Sequence, residues 1–447
     1  MVTFDDALPT LVRTCEAVPG FTGLKTACVV RDLRGRLRLL LDPDASAPAG
    51  QPSVDVAALQ QQLVQELGGY FAPPIWSTKS AKPDEARLAR VLVGQASVWS
   101  DAAYEDPVSG NRTVSQARWK KLERRLSKQA WLESAGRKPP WGLASSTPSI
   151  VTFYSFKGGV GRTTALVACA WQLAREGKKV VAIDLDLEAP GLGALFEAKV
   201  DRGIVDLLVD HLATGNCELE GAMADRSPAL GADGDRVSVI PAGRLDPAYL
   251  EKLARLDFVS GNPPAGSEAD PSPIELALLD ILRKVLNEVR PDYILLDSRA
   301  GLHDLAGLSL HSLAHVDVLV GRATEQGYLG FDLTLGVLAK RKGADNLQAV
   351  VVHTFAPVSG TREAQIEEQE FLHRSYESFV KQVYSPAKAS TLAETDDGPH
   401  TPVVIRRHAE LDRFASLGSI ETILFAPDFV ALREQIEVLC TSLGGRP

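Results

Sequence analysis

Short apolar runs alternate with stretches of helical spacing along residues 149–443, and the two periods take turns. Ile150-Val151-Thr152-Phe153-Tyr154 is apolar, β-branched and aromatic and is bounded by turn residues, which predicts a buried strand. From Thr163 to Glu176, the apolar residues Leu166, Ala170, Leu173 and Ala174 recur at helical spacing, and Gly177 offers a stop. Val180-Val181-Ala182-Ile183 predicts a second strand that runs into Asp184-Leu185-Asp186. Further strands are expected over 236–241, 293–297, 316–320, 347–353 and 402–405. Helices are expected over 203–212, 274–289 (ended by Pro291) and 431–443. Near-continuous apolar strands separated by helices predict an α/β fold: a doubly wound, mostly parallel, Rossmann-like sheet of about seven strands.

The first third of the chain has a different pattern. Residues 27–30 and 37–41 predict a β-hairpin with its turn near Arg34-Gly35. Residues 45–53 form a Pro/Ala/Ser loop, and Leu59, Leu63 and Leu67 mark a helix over 56–67. A loop is expected over 76–84 and a further helix over 85–93. Residues 1–134 are therefore expected to form a small α+β domain. Residues 135–148, with Gly136, Pro139, Pro140 and Gly142, are expected to be a linker to a domain spanning 149–447. Residues 260–273, rich in Gly, Pro, Ser and acids, are expected to be a surface excursion.

Between the first strand and helix of the larger domain stands Lys157-Gly158-Gly159-Val160-Gly161-Arg162-Thr163-Thr164. The first N–H groups of a helix lack internal partners and carry partial positive charge, so they attract phosphate. Glycines let the backbone close around the anion. In the ordinary phosphate loop a lysine neutralises phosphate charge and a threonine hydroxyl coordinates Mg²⁺. Thr163 suits the second task; Arg162 stands where that lysine is usual, and Lys157 opens the loop. A dinucleotide fingerprint is a second reading, since Gly159 and Gly161 supply two of its glycines and Asp184 ends the next strand. It lacks the third glycine and leaves Lys157, Arg162 and Thr163 without a task. A turn that binds nothing is the third.

KGGVGRTT followed by VVAIDLDLEAPGL resembles the deviant Walker A ATPases of the ParA/MinD type, and more narrowly the bacterial branch written KGGVGR. The resemblance covers about two thirds of the chain, from Ser149 onward, and is silent on the rest. It implies an ATP-dependent switch in which two protomers enclose two nucleotides, Lys157 reaches the partner's phosphates, and slow hydrolysis resets the dimer. It implies nucleotide contacts from Gly158, Gly159, Val160, Gly161, Arg162, Thr163 and Thr164. Asp186 is implied to orient the attacking water, with Asp184 near the metal. Tyr293-Ile-Leu-Leu-Asp297 fits Walker B, in which a buried strand delivers a carboxylate to Mg²⁺ through water. Asp297-Ser298-Arg299-Ala300-Gly301 matches the family's DSRTG segment with Ala300 in place of threonine. Arg299 is open between a charge-neutralising role at phosphate and a structural ion pair. His303 is read as incidental, and Arg322–Gln326 as a nucleotide-proximal loop. Arg406, after the last strand, loosely matches base-contacting residues.

Composition narrows the classes. A net charge of −9 over 447 residues speaks against bulk nucleic-acid binding. The basic stretch 112–138 nonetheless carries Arg112, Arg118, Lys120, Lys121, Arg124, Arg125, Lys128, Arg137 and Lys138 beside Trp119, Trp131 and Trp141. Trp119, Leu122, Leu126 and Ala130 fit one helical face, so a packed amphipathic helix, a protein-binding surface and a nucleic-acid contact all stay open. Five scattered cysteines without a CxxC pair suggest free thiols in a reducing cytoplasm. No signal, spanning segment or lipidation motif is apparent. The C-terminal stretch 431–447, with Arg433 and Arg446 as its basic residues, lacks the character of a membrane-binding helix. A bacterial tyrosine kinase would carry a terminal tyrosine cluster, which is absent. The expectation is a cytoplasmic Mg²⁺-ATP-binding, weakly hydrolysing, dimerising switch with an unidentified protein partner. A nucleotide-binding scaffold that has lost turnover is the alternative, because arginine and lysine are not equivalent around phosphate.

Overall fold

The computed structural model describes residues 2–44, 53–105, 110–125, 127–132, 138–144, 146–256 and 271–444. The loop expected over 45–53 and the excursion over 260–273 lie almost wholly outside them. The chain divides into two compact units, with the boundary at Ser127/Lys128. Residues 128–132, expected in the first domain, thus fall with the second unit, as do the described residues of the stretch expected to be a linker. Within that stretch Trp141 is tethered: its indole N–H donates to the Pro148 carbonyl at 2.9 Å, and its own carbonyl is 2.8 Å from Nε2 of His315.

The second unit holds the seven-stranded sheet. Its strands are β1 (Ser149–Tyr154), β2 (Val180–Leu185), β3 (Val237–Ile240), β4 (Tyr293–Ser298), β5 (Val316–Gly321), β6 (Ala349–Ala356) and β7 (Val403–Arg406). They lie in the order β3-β2-β4-β1-β5-β6-β7, and every pairing is parallel. All carboxyl ends therefore meet at one edge of the sheet, and β1 and β2 reach it with β4 between them. That is where ligands bind in open α/β sheets. The helices needed here are α1 (Arg162–Arg175), α2 (Ile204–Thr214), α3 (Pro273–Lys284), α4 (Asp304–Leu308), α5 (Glu325–Lys342), α6 (Arg362–Gln382) and α7 (Pro427–Gly444). Helix α1 is buried along nearly its whole length, from Ala165 to Ala174, so it is anchored by the core and its first turn is held in place. Helix α7 lays Phe429, Leu432, Ile436 and Cys440 into the same core, and its Arg433 pairs with Glu176 at 2.9 Å.

Neither edge strand is open along its length. Ala224 and Val239 exchange two backbone hydrogen bonds of 2.8 Å beside β3. At β7 the Arg406 N–H donates to the Asp428 carboxylate at 3.0 Å.

The first unit has a five-stranded mixed sheet in the order Trp76–Ser77, Leu37–Asp42, Thr26–Arg31, Trp119–Glu123, Ser97–Val98. Helices Phe4–Glu16, Val56–Leu67 and Pro83–Gln95 accompany it. The hairpin turns at Asp32–Arg36, where the Asp32 carboxylate accepts N–H groups of Arg34 and Arg36 and Gly35 is left-handed. Two expectations need correction. Residues 76–77 are a short strand, not loop. The basic stretch is not one helix: it gives strands Arg112–Val114 and Trp119–Glu123 and then, in the second unit, the short helix Gln129–Leu132. Trp119 and Leu122 are both buried because they lie on opposite faces of a strand covered on both sides. A spacing of three in such a strand mimics one helical face.

Candidate functional site

The glycine loop leaves β1 and enters α1 at the crowded carboxyl edge. Gly159 (φ 71°) and Gly161 (φ 81°) take left-handed backbone that a side chain would oppose. A Cβ at Gly158 or Gly159 would meet no atom within 4 Å, so the loop borders open space. No side chain caps the first turn of α1, whose N–H groups are left for an outside acceptor. The loop is pinned from below: Val160 is buried, and its carbonyl accepts the Thr354 hydroxyl at 2.8 Å. Beside it Phe355, itself left-handed at φ 59°, brings its ring within 3.7 Å of a Cβ placed on Gly161 and lies under the Arg322 guanidinium.

Parallel pairing of β2 with β4 sets Asp184 directly opposite Asp297. Arg162 closes this group. Its Nε donates to Asp297 Oδ1 at 2.6 Å and a terminal nitrogen to Asp186 Oδ2 at 2.8 Å. Thr163 Oγ1 donates to the other Asp297 oxygen at 2.8 Å. Residues 162, 163, 186 and 297, far apart in sequence, thus share one network. Burial pushes the Arg162 pKa down, but Asp297 and Asp186 outweigh that and hold it raised. Burial raises Asp297 against the pull of Arg162 and Thr163. Asp184 is raised to about 7, first by burial and then by Asp297.

Asp184 has a further commitment. Its carboxylate accepts the N–H groups of Asp186 (3.1 Å), Gly191 (3.0 Å) and Leu192 (3.0 Å), so it anchors the loop after β2. The metal role expected for it competes with these three bonds. Lys157 is exposed and makes no ion pair among the described residues, and Thr164 is half-buried. Arg406 is not free beside the loop: it donates to the Pro357 carbonyl at 3.0 Å and pairs with Glu368. Sequence reasoning missed Glu188, which pairs with Arg299 and lies 3.0 Å from His303 Nε2. Arg299 thus has an ion-pair partner in the loop after Asp186, and His303 has a defined place. Its Nδ1 accepts the Leu305 N–H at 3.2 Å, which caps α4.

The model of the family described as an AAA domain matches residues 148–227, the segment that holds the loop and Asp186. The chloroplastic septum site-determining protein MinD homolog of Arabidopsis thaliana is 29% identical over 270 residues, 48% of this chain and 81% of that protein. Over this segment the chain is similar to the P-loop ATPases of the ParA/MinD type. Septum site-determining protein MinD of Helicobacter pylori is 30% identical over 173 residues, 38% of this chain and 50% of that one. An uncharacterized ATP-binding protein of Methanocaldococcus jannaschii is 30% identical over 156 residues, 34% of this chain and 46% of that one. The chain thus spans about half the length of these last two relatives. Among solved structures, the Pyrococcus horikoshii MinD complexed with Mg-ADP overlaps at 20% identity and a TM-score of 0.41, covering 66% of this chain and 99% of that one. The likeness to the ParA/MinD type rests on the sequence matches. No helix among the described residues is long and apolar enough to cross a membrane.

Proposed function

We propose that this domain, in its KGGVGR form, binds ATP with Mg²⁺, hydrolyses it slowly, and uses the bound nucleotide to govern self-association. The observation that carries the reading is the convergence of Arg162, Thr163, Asp186 and Asp297 at the mouth of an unblocked glycine loop. Two carboxylates pair with one guanidinium there and a third, Asp184, stands opposite Asp297, so the group has an excess of negative charge and oxygen donors that suit a hard divalent cation. Among the described residues no cluster of three His, Cys, Asp or Glu side chains is built to hold a metal alone. Thr163 and Asp297 would hold Mg²⁺ together with water and phosphate oxygens, where it would neutralise phosphate charge.

The chain's own residues supply the rest. The backbone of Gly158–Thr164 receives the phosphates. Arg162 neutralises phosphate charge once it turns from the carboxylates. Asp186, half-buried at the end of β2, accepts a hydrogen bond from the attacking water and orients it. Lys157, exposed and without an ion pair among the described residues, is available to a second protomer. An unidentified protein partner would set the rate. Nucleic acid is not favoured, since Trp119 and Trp131 of the basic stretch are buried and cannot stack on bases.

The scaffold without turnover keeps one supporting observation, the double commitment of Arg162 to Asp297 and Asp186. Calorimetry with ATP and ADP in Mg²⁺ tests the first reading: both nucleotides should bind, and absence of heat or thermal stabilisation with either refutes it. Lys157→Ala should hold nucleotide affinity within about tenfold, about 1.4 kcal/mol, and lose ATP-dependent dimerisation by light scattering. Normal dimerisation by that variant would rule out the role across subunits.

A further inference from the structure

The chain that leaves the first unit at Ser127 is built into the ATPase domain at once. Lys128–Leu132 lies on α4, the short helix that follows the Walker B segment. Lys128 has a left-handed backbone (φ 66°), and its N–H donates to Asp304 Oδ1 at 2.5 Å while its ammonium stands 3.5 Å from the other oxygen. Trp131 is buried, and its indole N–H donates to the His303 carbonyl at 2.7 Å. Its ring meets His311 edge-on at 5.2 Å and leans on Tyr154 of β1 at 5.9 Å.

Gly307 makes room for this. A Cβ there would stand 2.8 Å from Ala130 Cβ and 2.9 Å from Trp131 Nε1, closer than real side chains approach. The two anchored residues, His303 and Asp304, lie where the loop after β4 enters α4. His303 also faces Glu188 in the loop after Asp186. One turn on, Ser309 Oγ donates to Ser298 Oγ at 3.0 Å, tying the helix back to the end of β4.

We infer that Lys128–Leu132 is a strap that positions the loop 298–304, and that through it the N-terminal unit acts on the phosphate end of the ATPase domain. Trp131 is a positioning residue: it acts through His303 and touches none of the phosphate-loop residues. An indole seated in a glycine slot has two states, docked or out, because partial withdrawal loses both the hydrogen bond and the packing together. A shift of that loop on phosphate binding would therefore carry the strap with it or release it. Since the strap begins one residue after the first unit ends, anything that pulls on that unit biases the same equilibrium.

The inference rests on the nucleotide-binding reading above. Its test is hydrogen exchange and nucleotide affinity on the full chain, with a non-hydrolysable ATP analogue and Mg²⁺, for Trp131→Ala, Gly307→Ala and the double variant. Either single change should speed exchange of amides 299–308 by about tenfold and shift analogue affinity by at least about threefold. Exchange in β5 and β6 should stay as in the wild type. The double variant should fall short of the sum of the two single effects, because the indole that the added methyl presses on is already gone and only the close approach to Ala130 is left. Trp131→Phe, which keeps most of the packing but not the N–H, should fall between. Unchanged exchange at 299–308, unchanged affinity, or effects that add in the double variant would overturn the strap while the wild type still binds nucleotide. A wild type that binds no nucleotide overturns both readings.

Discussion

In the seven-stranded sheet every strand runs the same way, so seven carboxyl ends share one edge and residues more than a hundred positions apart become neighbours. In the five-stranded sheet the directions are mixed. Thr26–Arg31 runs against Leu37–Asp42, which sends Arg31 and Asp42 to opposite edges. Arg31 is spent on the Phe4 ring and Asp42 on the Thr78 hydroxyl, local partners that fix the fold. Both sheets are covered by helices and have well-filled cores. Strand direction is what separates a sheet that gathers charge at one place from one that disperses it.

The contrast predicts unequal responses to loss of a single carboxylate. Asp297→Ala leaves the Arg162 guanidinium buried with only Asp186, and loss of one partner from a buried pair costs about 3–5 kcal/mol. Chemical denaturation should show that loss, and calorimetry should show nucleotide binding abolished. Asp186→Asn keeps the shape and removes the charge, so ATP should still bind while turnover falls by about two orders of magnitude. A phosphate-release assay checks this, and unchanged turnover would move the water-orienting role elsewhere. Arg162→Lys gives up the two-carboxylate fork, because an ammonium is a single point donor. Turnover should fall by about tenfold, and a rise would favour the scaffold that lost hydrolysis through arginine. Asp42→Ala in the mixed sheet should cost about 1.5–3 kcal/mol, the worth of a hydrogen bond to a charged group, and leave nucleotide affinity untouched. A larger loss there would erase the difference between the two sheets.

The legible parts of the chain were those whose signal is local. The glycine loop, its strand and its helix are contiguous, and Asp186 and Asp297 each end an apolar run, so residue types announced them. The Arg162 fork was not legible, because it depends on β2 lying beside β4 in a register that no local pattern encodes. Asp184 was expected near the metal; the three N–H groups it accepts come from a loop whose conformation only the fold reveals. The stretch around Trp119 misled for a physical reason, since burial on both faces of a strand erases the alternation that marks a strand. Glu188 and Trp131 gave no signal, as an acidic loop residue and a tryptophan in a basic run have many ordinary explanations.

The partly occupied margins of the large sheet bear on how copies of this molecule can meet. A backbone edge with free N–H and C=O groups recruits strands from any neighbour and leads toward open-ended stacking. Here the Ala224–Val239 bridge occupies one margin and the Asp428 carboxylate takes a donor from the other. Growth by strand addition is thereby discouraged on both flanks. The proposed self-association is therefore left to side-chain surfaces, where it can depend on what the loops hold and so can be undone.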